Sequence, residues 1–268
     1  MMLGVRTGAW AKNGSPTPAA YGGLRLTAEA DNSSVQLTAV GSAPPTVTLV
    51  KSFDGVNWEA YTVGEVIDLP SVGDFVYLAA GEGGNNTFGS STSAYHQFVI
   101  NGLVAASGDI TSLRRFDLEQ TTLAVNCYNS MFYGCTGLTS APELPATTLE
   151  VNCYNSMFRG CTGLTSAPEL PATTLASSCY RSMFYGCTGL TSAPELPATT
   201  LAGNCYAFMF KGCTNLSLIQ VRFTAWGAQT SGWVTNVKST GTFYKLSSLP
   251  KEYGENRIPT GWAVVNIG

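Results

Sequence analysis

The chain has little charge. Only 12% of its 268 residues are Asp, Glu, Lys or Arg, against roughly a quarter in soluble domains. Its formal net charge is −3 and no run of Lys or Arg interrupts it. The basic patch that neutralises phosphates is missing, so a nucleic-acid partner is not expected. Apolar stretches stay below the length of about 18 residues that a spanning helix needs, so membrane insertion is not expected either. The first residues, MMLGVRTGAWAKNGSPTPAAYGG, lack an apolar core behind a basic start and predict no secretory leader. There is one histidine, His96, with no recognisable nucleophile to work beside. No catalytic residue, cofactor or metal site is expected, and the chain does not read as an enzyme.

What the sequence does have is glycine, 29 residues of it, with much Ser, Thr and Asn. That composition favours turns and strands over long helices. It also has a near-verbatim repeat of 26 residues that holds all eight cysteines. The copies run CYNSMFYGCTGLTSAPELPATTLEVN from Cys127, CYNSMFRGCTGLTSAPELPATTLASS from Cys153, and CYRSMFYGCTGLTSAPELPATTLAGN from Cys179. A fourth, CYAFMFKGCTNLSLIQ, starts at Cys205 and then loses the pattern. Fixed-period similarity of this kind predicts a solenoid, in which each unit buries its apolar face only against its neighbours.

Four regions follow. Residues 1–22 read as an irregular arm, whose Trp10 and Tyr21 either fold back or anchor the chain to a neighbour. An ordered arm would point to an assembled partner. Residues 23–106 read as a β-sandwich. Its strands are LRLTAEA, VQLTAVG, VTLVKSF, WEAYT, FVYLAAG, HQFVING and LVAASG, short and rich in β-branched and aromatic residues. SFDGVNWEAY reads as a hairpin turning at Asp54-Gly55. Trp58 and Tyr61 fit core or rim positions, with a sugar-stacking platform as the alternative. Residues 107–223 form the solenoid, with 110–126 as a degenerate first unit. Residues 224–268 cap its far end, where Trp226, Trp233 and Trp262 supply a lid, a short helix spans WGAQTSGWVTNV and a last strand lies in IPTGWAVVNI.

Within one repeat, Cys127, Met131 and Cys135 recur every four residues, which predicts one face of a short helix. Gly137 is the expected left-handed turn residue, and LTSAPEL a strand with Leu138 and Leu144 inward. Such a helix spans about 12 Å between its cysteines, beyond disulfide reach. Zinc sites use closer pairs. Buried free thiols in two ladders are expected, with bonds between repeats as the alternative. Glu143, Glu169 and Glu195 form a solvated row.

The motif MFYGCTGLTSAPELP closely resembles the BspA-type leucine-rich repeats of bacterial surface proteins. The matching residues are Phe132, Cys135, Leu138 and Pro142, then Phe158, Cys161, Leu164 and Pro168, then Phe184, Cys187, Leu190 and Pro194. In the fourth copy Phe210, Cys213 and Leu216 match but the proline is absent. APELPATTL is similar to proteins of gut Bacteroidales and their phages. The resemblance implies a leucine-rich-repeat solenoid used for adhesion or recognition, and it says little about residues 1–106.

Two functions compete. One is a bacteriophage virion protein: a fibre, head-decoration or tail-associated subunit, oligomeric, anchored by its arm to other virion proteins and meeting a glycan or protein on the host surface. The other is a bacterial cell-surface adhesin. Two columns where the copies differ mark the candidate contact face. One holds Tyr133, Arg159, Tyr185 and Lys211, the other Asn129, Asn155, Arg181 and Ala207. Both are expected on one outer face, rich in the Tyr and Arg that anchor interfaces. Neutral drift on a solvated face is the alternative.

Overall fold

A computed structural model describes residues 22–116 and 121–268. Trp10 and Tyr21 lie outside the described residues. The fold is mainly β. The N-terminal part contributes β1 (Arg25–Ala28), β2 (Ser33–Val40), β3 (Leu49–Ser52), β4 (Glu59–Tyr61), β5 (Val66–Leu69), β6 (Phe75–Ala80), β7 (Gly89–Ser91), β8 (Ala94–Asn101) and β9 (Val104–Ser107). The repeats and the C-terminal part contribute β10 (Leu138–Ser140), β11 (Ser192–Leu196), β12 (Leu218–Val221), β13 (Thr242–Lys245) and β14 (Ala263–Asn266). Among the described residues helix is confined to two 3-10 turns, Ile110–Leu113 and Ala228–Thr230.

Each N-terminal segment read as a strand carries one, and β5 and β7 are additional. One sheet runs β10-β9-β1-β6-β3-β4 and another β5-β2-β8-β7. Strands β3 and β4 are antiparallel around a turn held by Asp54, whose carboxylate accepts from the backbone N–H groups of Val56 and Asn57. Alternation along the strands sends Leu26, Val35, Leu37, Ile67, Val76 and Phe98 into one buried cluster. That cluster continues without a break into the repeats.

The repeat segment is not helical, which corrects the helix expected over Cys127–Cys135. Its N–H groups divide into two sets. Alternate residues close tight turns on the chain itself, as in Met131 N–H to Tyr128 C=O and Cys135 N–H to Phe132 C=O. The others donate to the next copy: Tyr128 to Cys153, Ser130 to Asn155, Phe132 to Met157 and Gly134 to Arg159. Every fourth residue takes positive φ, namely Asn126, Ser130 and Gly134 at 55°, 57° and 71°. An α-helix allows no such residue and would leave nothing to bond the next coil. The period of four seen in the sequence is therefore a period of turns. It buries the same residues a helix would: Cys127, Tyr128, Met131, Phe132 and Cys135 are all buried.

Gly134, not Gly137, is the left-handed glycine. Gly137 is needed for another reason. A Cβ there would lie 1.9 Å from the Gly102 carbonyl oxygen, where the repeats dock on the N-terminal sheet. Strand β10 pairs in parallel with β9, and Phe98 N–H donates to Met131 C=O at 2.7 Å. Strands β8 and β9 thus form the layer beneath the first repeat.

Two aromatic columns tie the layers together. Phe88 stacks under Tyr128 at 5.9 Å, followed by Tyr154, Tyr180 and Tyr206. Phe98 stacks under Phe132 at 4.9 Å, followed by Phe158, Phe184 and Phe210. Each fully buried aromatic or aliphatic side chain contributes about 1.5–3 kcal/mol, and only neighbouring coils provide the burial.

The C-terminal part continues the winding. Strands β11 to β14 form a parallel four-stranded sheet, a β-solenoid of about three turns. The segment expected as a helix, 226–237, forms one more layer of turns, with Phe210 N–H bonding to Trp233 C=O. Trp233 and Trp262 are buried and Trp226 packs across Trp233 at 6.2 Å.

Candidate functional site

The turn geometry sorts side chains. Positions 127, 128, 131, 132 and 135 point to the core, so 129, 130 and 133 and their equivalents face the other way. Stacked over successive copies, they line a groove of about 680 Å³. Seven of the eight residues in the drift columns are in it: Tyr133, Arg159, Tyr185 and Lys211 from one column, and Asn129, Asn155 and Arg181, but not Ala207, from the other. The N-terminal sheet closes one end with Thr92 and Tyr95. Gln97 on β8 donates to the Tyr133 carbonyl at 2.5 Å and pins that end.

The first column interleaves rings and cations. The Arg159 guanidinium lies 5.6 Å from the Tyr133 ring centre and 4.4 Å from that of Tyr185. The Lys211 ammonium lies 5.6 Å from Tyr185 and 5.6 Å from Phe208. Arg181 lies 5.5 Å from Phe208. Each such contact is worth about 0.5–1 kcal/mol at an exposed site. Among the described residues no carboxylate lines the groove, and none of the three cations joins an ion pair.

The second column is floor rather than outer face, which corrects the single exposed face expected of both. Asn129 and Asn155 are buried, as is Ala207. The edge of the N-terminal sheet covers the first: the Asn129 amide donates to the Ser91 carbonyl at 3.5 Å. Asn155 is held by its neighbours, donating to Asn152 Oδ1 at 3.3 Å and accepting from Ser156 Oγ at 2.8 Å. Only Arg181, the long variant in this column, rises half-exposed to the groove.

Phe208 was missed from the sequence. It stands where the earlier copies have Ser130, Ser156 and Ser182, and it keeps their left-handed backbone at φ 58°. For a bulky residue that conformation is an outlier costing on the order of 1–3 kcal/mol. Room for its ring comes from Gly232, where a Cβ would sit 2.7 Å from the ring edge. The signal was available, since the Ser-to-Phe change is itself a drift column. Thr92 and Tyr95 carry no such signal, because nothing in their sequence says that β8 lies beneath the repeats.

The remaining flagged residues serve the framework. All eight cysteines are free and buried. Cys135, Cys161, Cys187 and Cys213 donate their S–H to the carbonyls of Phe98, Phe132, Phe158 and Phe184 at 3.0–3.1 Å. Burial pushes the Cys135 thiol up to about 12 and the Cys127 thiol up to about 11, so neither is nucleophilic near neutrality. Burial also lowers the pKa of His96, whose Nδ1 meets the Phe88 carbonyl at 3.2 Å. Tyr61 is buried, accepting from Leu37 N–H and donating to the Glu65 carbonyl. Trp58 packs edge-on to Phe116 at 4.8 Å. Glu143, Glu169 and Glu195 are exposed. The Arg222 side chain, bonded at 2.7 Å, holds the Glu195 carboxyl below its ordinary value. Among the described residues no cluster of His, Cys, Asp and Glu could hold a metal ion.

No protein-family model, curated protein or solved structure matches the chain.

Proposed function

We propose that the chain is a non-enzymatic bacteriophage virion protein, a fibre, head-decoration or tail-associated subunit, that displays the repeat groove for attachment to the host surface. In this reading residues 23–106 are a β-sandwich acting as mount. The repeats are a short leucine-rich-repeat solenoid of the BspA type, and the arm, through Trp10 and Tyr21, joins other virion proteins in an oligomer. The sandwich assignment is supported by the two sheets sharing one buried core. The repeat assignment is supported by Phe132, Cys135 and Leu138, all buried in a coil that returns to a strand. The observation that carries the function is the groove. Positions that vary among otherwise near-identical copies converge on one concavity holding three cations, three tyrosines and a strained phenylalanine.

The test is a pair of variants in assembled particles. Replacing Tyr133, Arg159 and Tyr185 with Ser should abolish attachment to Bacteroidales cells and leave incorporation intact. Deleting residues 1–22 should remove the protein from the particle. Normal attachment by the triple variant would refute the groove as recognition surface. Assembly of the deletion variant would move the anchor to the N-terminal sheets or the C-terminal coils.

A further inference from the structure

We infer that the groove takes an acidic polysaccharide, one carrying carboxylate or sulfate groups, bound along the solenoid axis by a row of donors. The inference rests on the groove being the ligand surface and names the class of ligand.

The charge comes first. Among the described residues Arg159, Arg181 and Lys211 line one concavity without a carboxylate, in a chain whose net charge is −3. Cations gathered against the overall sign, and without ion-pair partners among the described residues, are set for an anion from outside. Next is what they touch. The Arg159 guanidinium is sandwiched between the Tyr133 and Tyr185 rings at 5.6 and 4.4 Å. Cation–π contact uses no N–H donor, and a guanidinium with its donors unspent grips a carboxylate or sulfate with two parallel bonds. Read along the axis, the column is Tyr133, Arg159, Tyr185 and Lys211, one side chain with a donor group per coil.

This geometry separates the ligand classes. A nucleobase binds by stacking on open aromatic faces, and here cations lie over the rings of Tyr133, Tyr185 and Phe208. An extended peptide binds by adding main-chain bonds to a free strand edge. Here the backbone N–H groups of Ser130, Phe132, Ser156 and Phe158 are spent on the adjacent coil. A polysaccharide needs neither. Its oxyanions match the guanidinium and ammonium groups, and its hydroxyls match Tyr133, Tyr185, Asn152, Ser156, Ser178 and Ser182, all on the groove wall.

Phe208 is a positioning residue in this scheme. It offers no donor, but its ring lies 5.5 Å from Arg181 and 5.6 Å from Lys211. A left-handed backbone is retained under a bulky side chain there. Such strain persists where the surroundings hold it, and often at a binding site.

The experiment titrates the full-length protein with dextran sulfate, polygalacturonate, neutral dextran, an oligothymidylate and polyglutamate, by calorimetry at two salt concentrations. The two acidic polysaccharides should bind, more weakly at the higher salt, and neutral dextran should not. Arg159→Gln and Lys211→Gln should each weaken them by about tenfold, the order of one charge-assisted bond. Arg159→Lys should recover part of the loss. Phe208→Ser should lower affinity without lowering the melting temperature, since the earlier copies carry Ser in this conformation. Equal binding of neutral dextran, of the oligothymidylate or of polyglutamate would overturn the class, as would acidic polysaccharides indifferent to Arg159→Gln. Cell attachment separates the two readings. If the triple serine variant loses attachment while dextran sulfate and polygalacturonate fail to compete with the native protein, the groove stands and the acidic polysaccharide falls. If the triple variant attaches normally, the groove itself falls.

Discussion

Raising the pH should unfold this protein early. The reason is the double ladder of thiols, eight in all and all buried. In the unfolded chain a thiol ionises near its ordinary value of 9.0; folded, Cys135 ionises at about 12 and Cys205 at about 11, because burial penalises the thiolate. The folded state therefore binds its protons more tightly than the unfolded one. Stability from these groups is complete below about pH 9 and is lost as pH climbs through the interval up to about 11–12. At pH 10 each of Cys127, Cys135, Cys179, Cys205 and Cys213, held at about 11–12, favours the unfolded chain by about 1.4 kcal/mol. The five together reach about 7 kcal/mol, and Cys153, Cys161 and Cys187, also raised by burial, add in the same direction; the whole stability of an ordinary domain is about 5–15 kcal/mol. Urea unfolding followed by far-ultraviolet circular dichroism at about pH 7, 9 and 10 measures it, with thiolate absorbance recorded in parallel. The denaturation midpoint should hold to about pH 9 and collapse by about pH 10, with thiolate appearing only as the fold is lost. Replacing Cys135, Cys161, Cys187 and Cys213 with Ala should roughly halve the sensitivity. A midpoint flat to pH 10, or thiolate formed near pH 9 in a protein still native by circular dichroism, would refute the buried-ladder account.

Three further outcomes are expected. Among the described residues the buried hydroxyls of Tyr154 and Tyr180 have no hydrogen-bond partner, so Tyr154→Phe and Tyr180→Phe should raise stability by about 1 kcal/mol in thermal melts. Gly137→Ala would drive a Cβ into the Gly102 carbonyl. It should cost more than about 3 kcal/mol and split unfolding into separate transitions for the N-terminal sheets and the repeats, seen by calorimetry. Trp233 is fully buried against Phe210, Phe223 and Phe243. Trp233→Ala should cost about 3–5 kcal/mol and loosen the last coils first, read as faster hydrogen exchange at 228–245 than at 127–160.

The core was legible because the repeats are nearly verbatim. Cys, Tyr, Met and Phe held fixed through the copies are buried, as are Leu138 and Leu144 with their equivalents, while Leu175 and Leu201 are half-buried. The secondary structure was not legible from the same pattern. Turns of four residues and a helix of 3.6 bury the same positions, and only the Asn, Ser and Gly at 126, 130 and 134 distinguish them by tolerating positive φ. The fourth copy hides even that clue, since Phe208 takes the conformation without being a residue that favours it. In the N-terminal part, strands rich in Val, Leu and Phe announced themselves, whereas GSS at β7 and VIDL at β5 are too short or too polar to do so. Drift found the groove through the first column, whose side chains line it; the second misled, since Asn129, Asn155 and Ala207 vary yet are buried. Over Asn129 the covering element, β7, comes from a distant part of the chain.

The hydrogen bonds between coils run at a constant step, from residue 128 to 153, 154 to 179 and 180 to 205. Each copy meets its predecessor as its successor meets it. Register is thus kept when a unit is duplicated or excised whole, and near-verbatim copies are natural substrates for unequal recombination. One such event lengthens or shortens the groove by one rung, Tyr or cation, while the N-terminal sheets and the terminal coils stay unchanged. Reach along a ligand could then change by a whole rung in one generation, and a point substitution at 133, 159, 185 or 211 could rewrite a single rung in place.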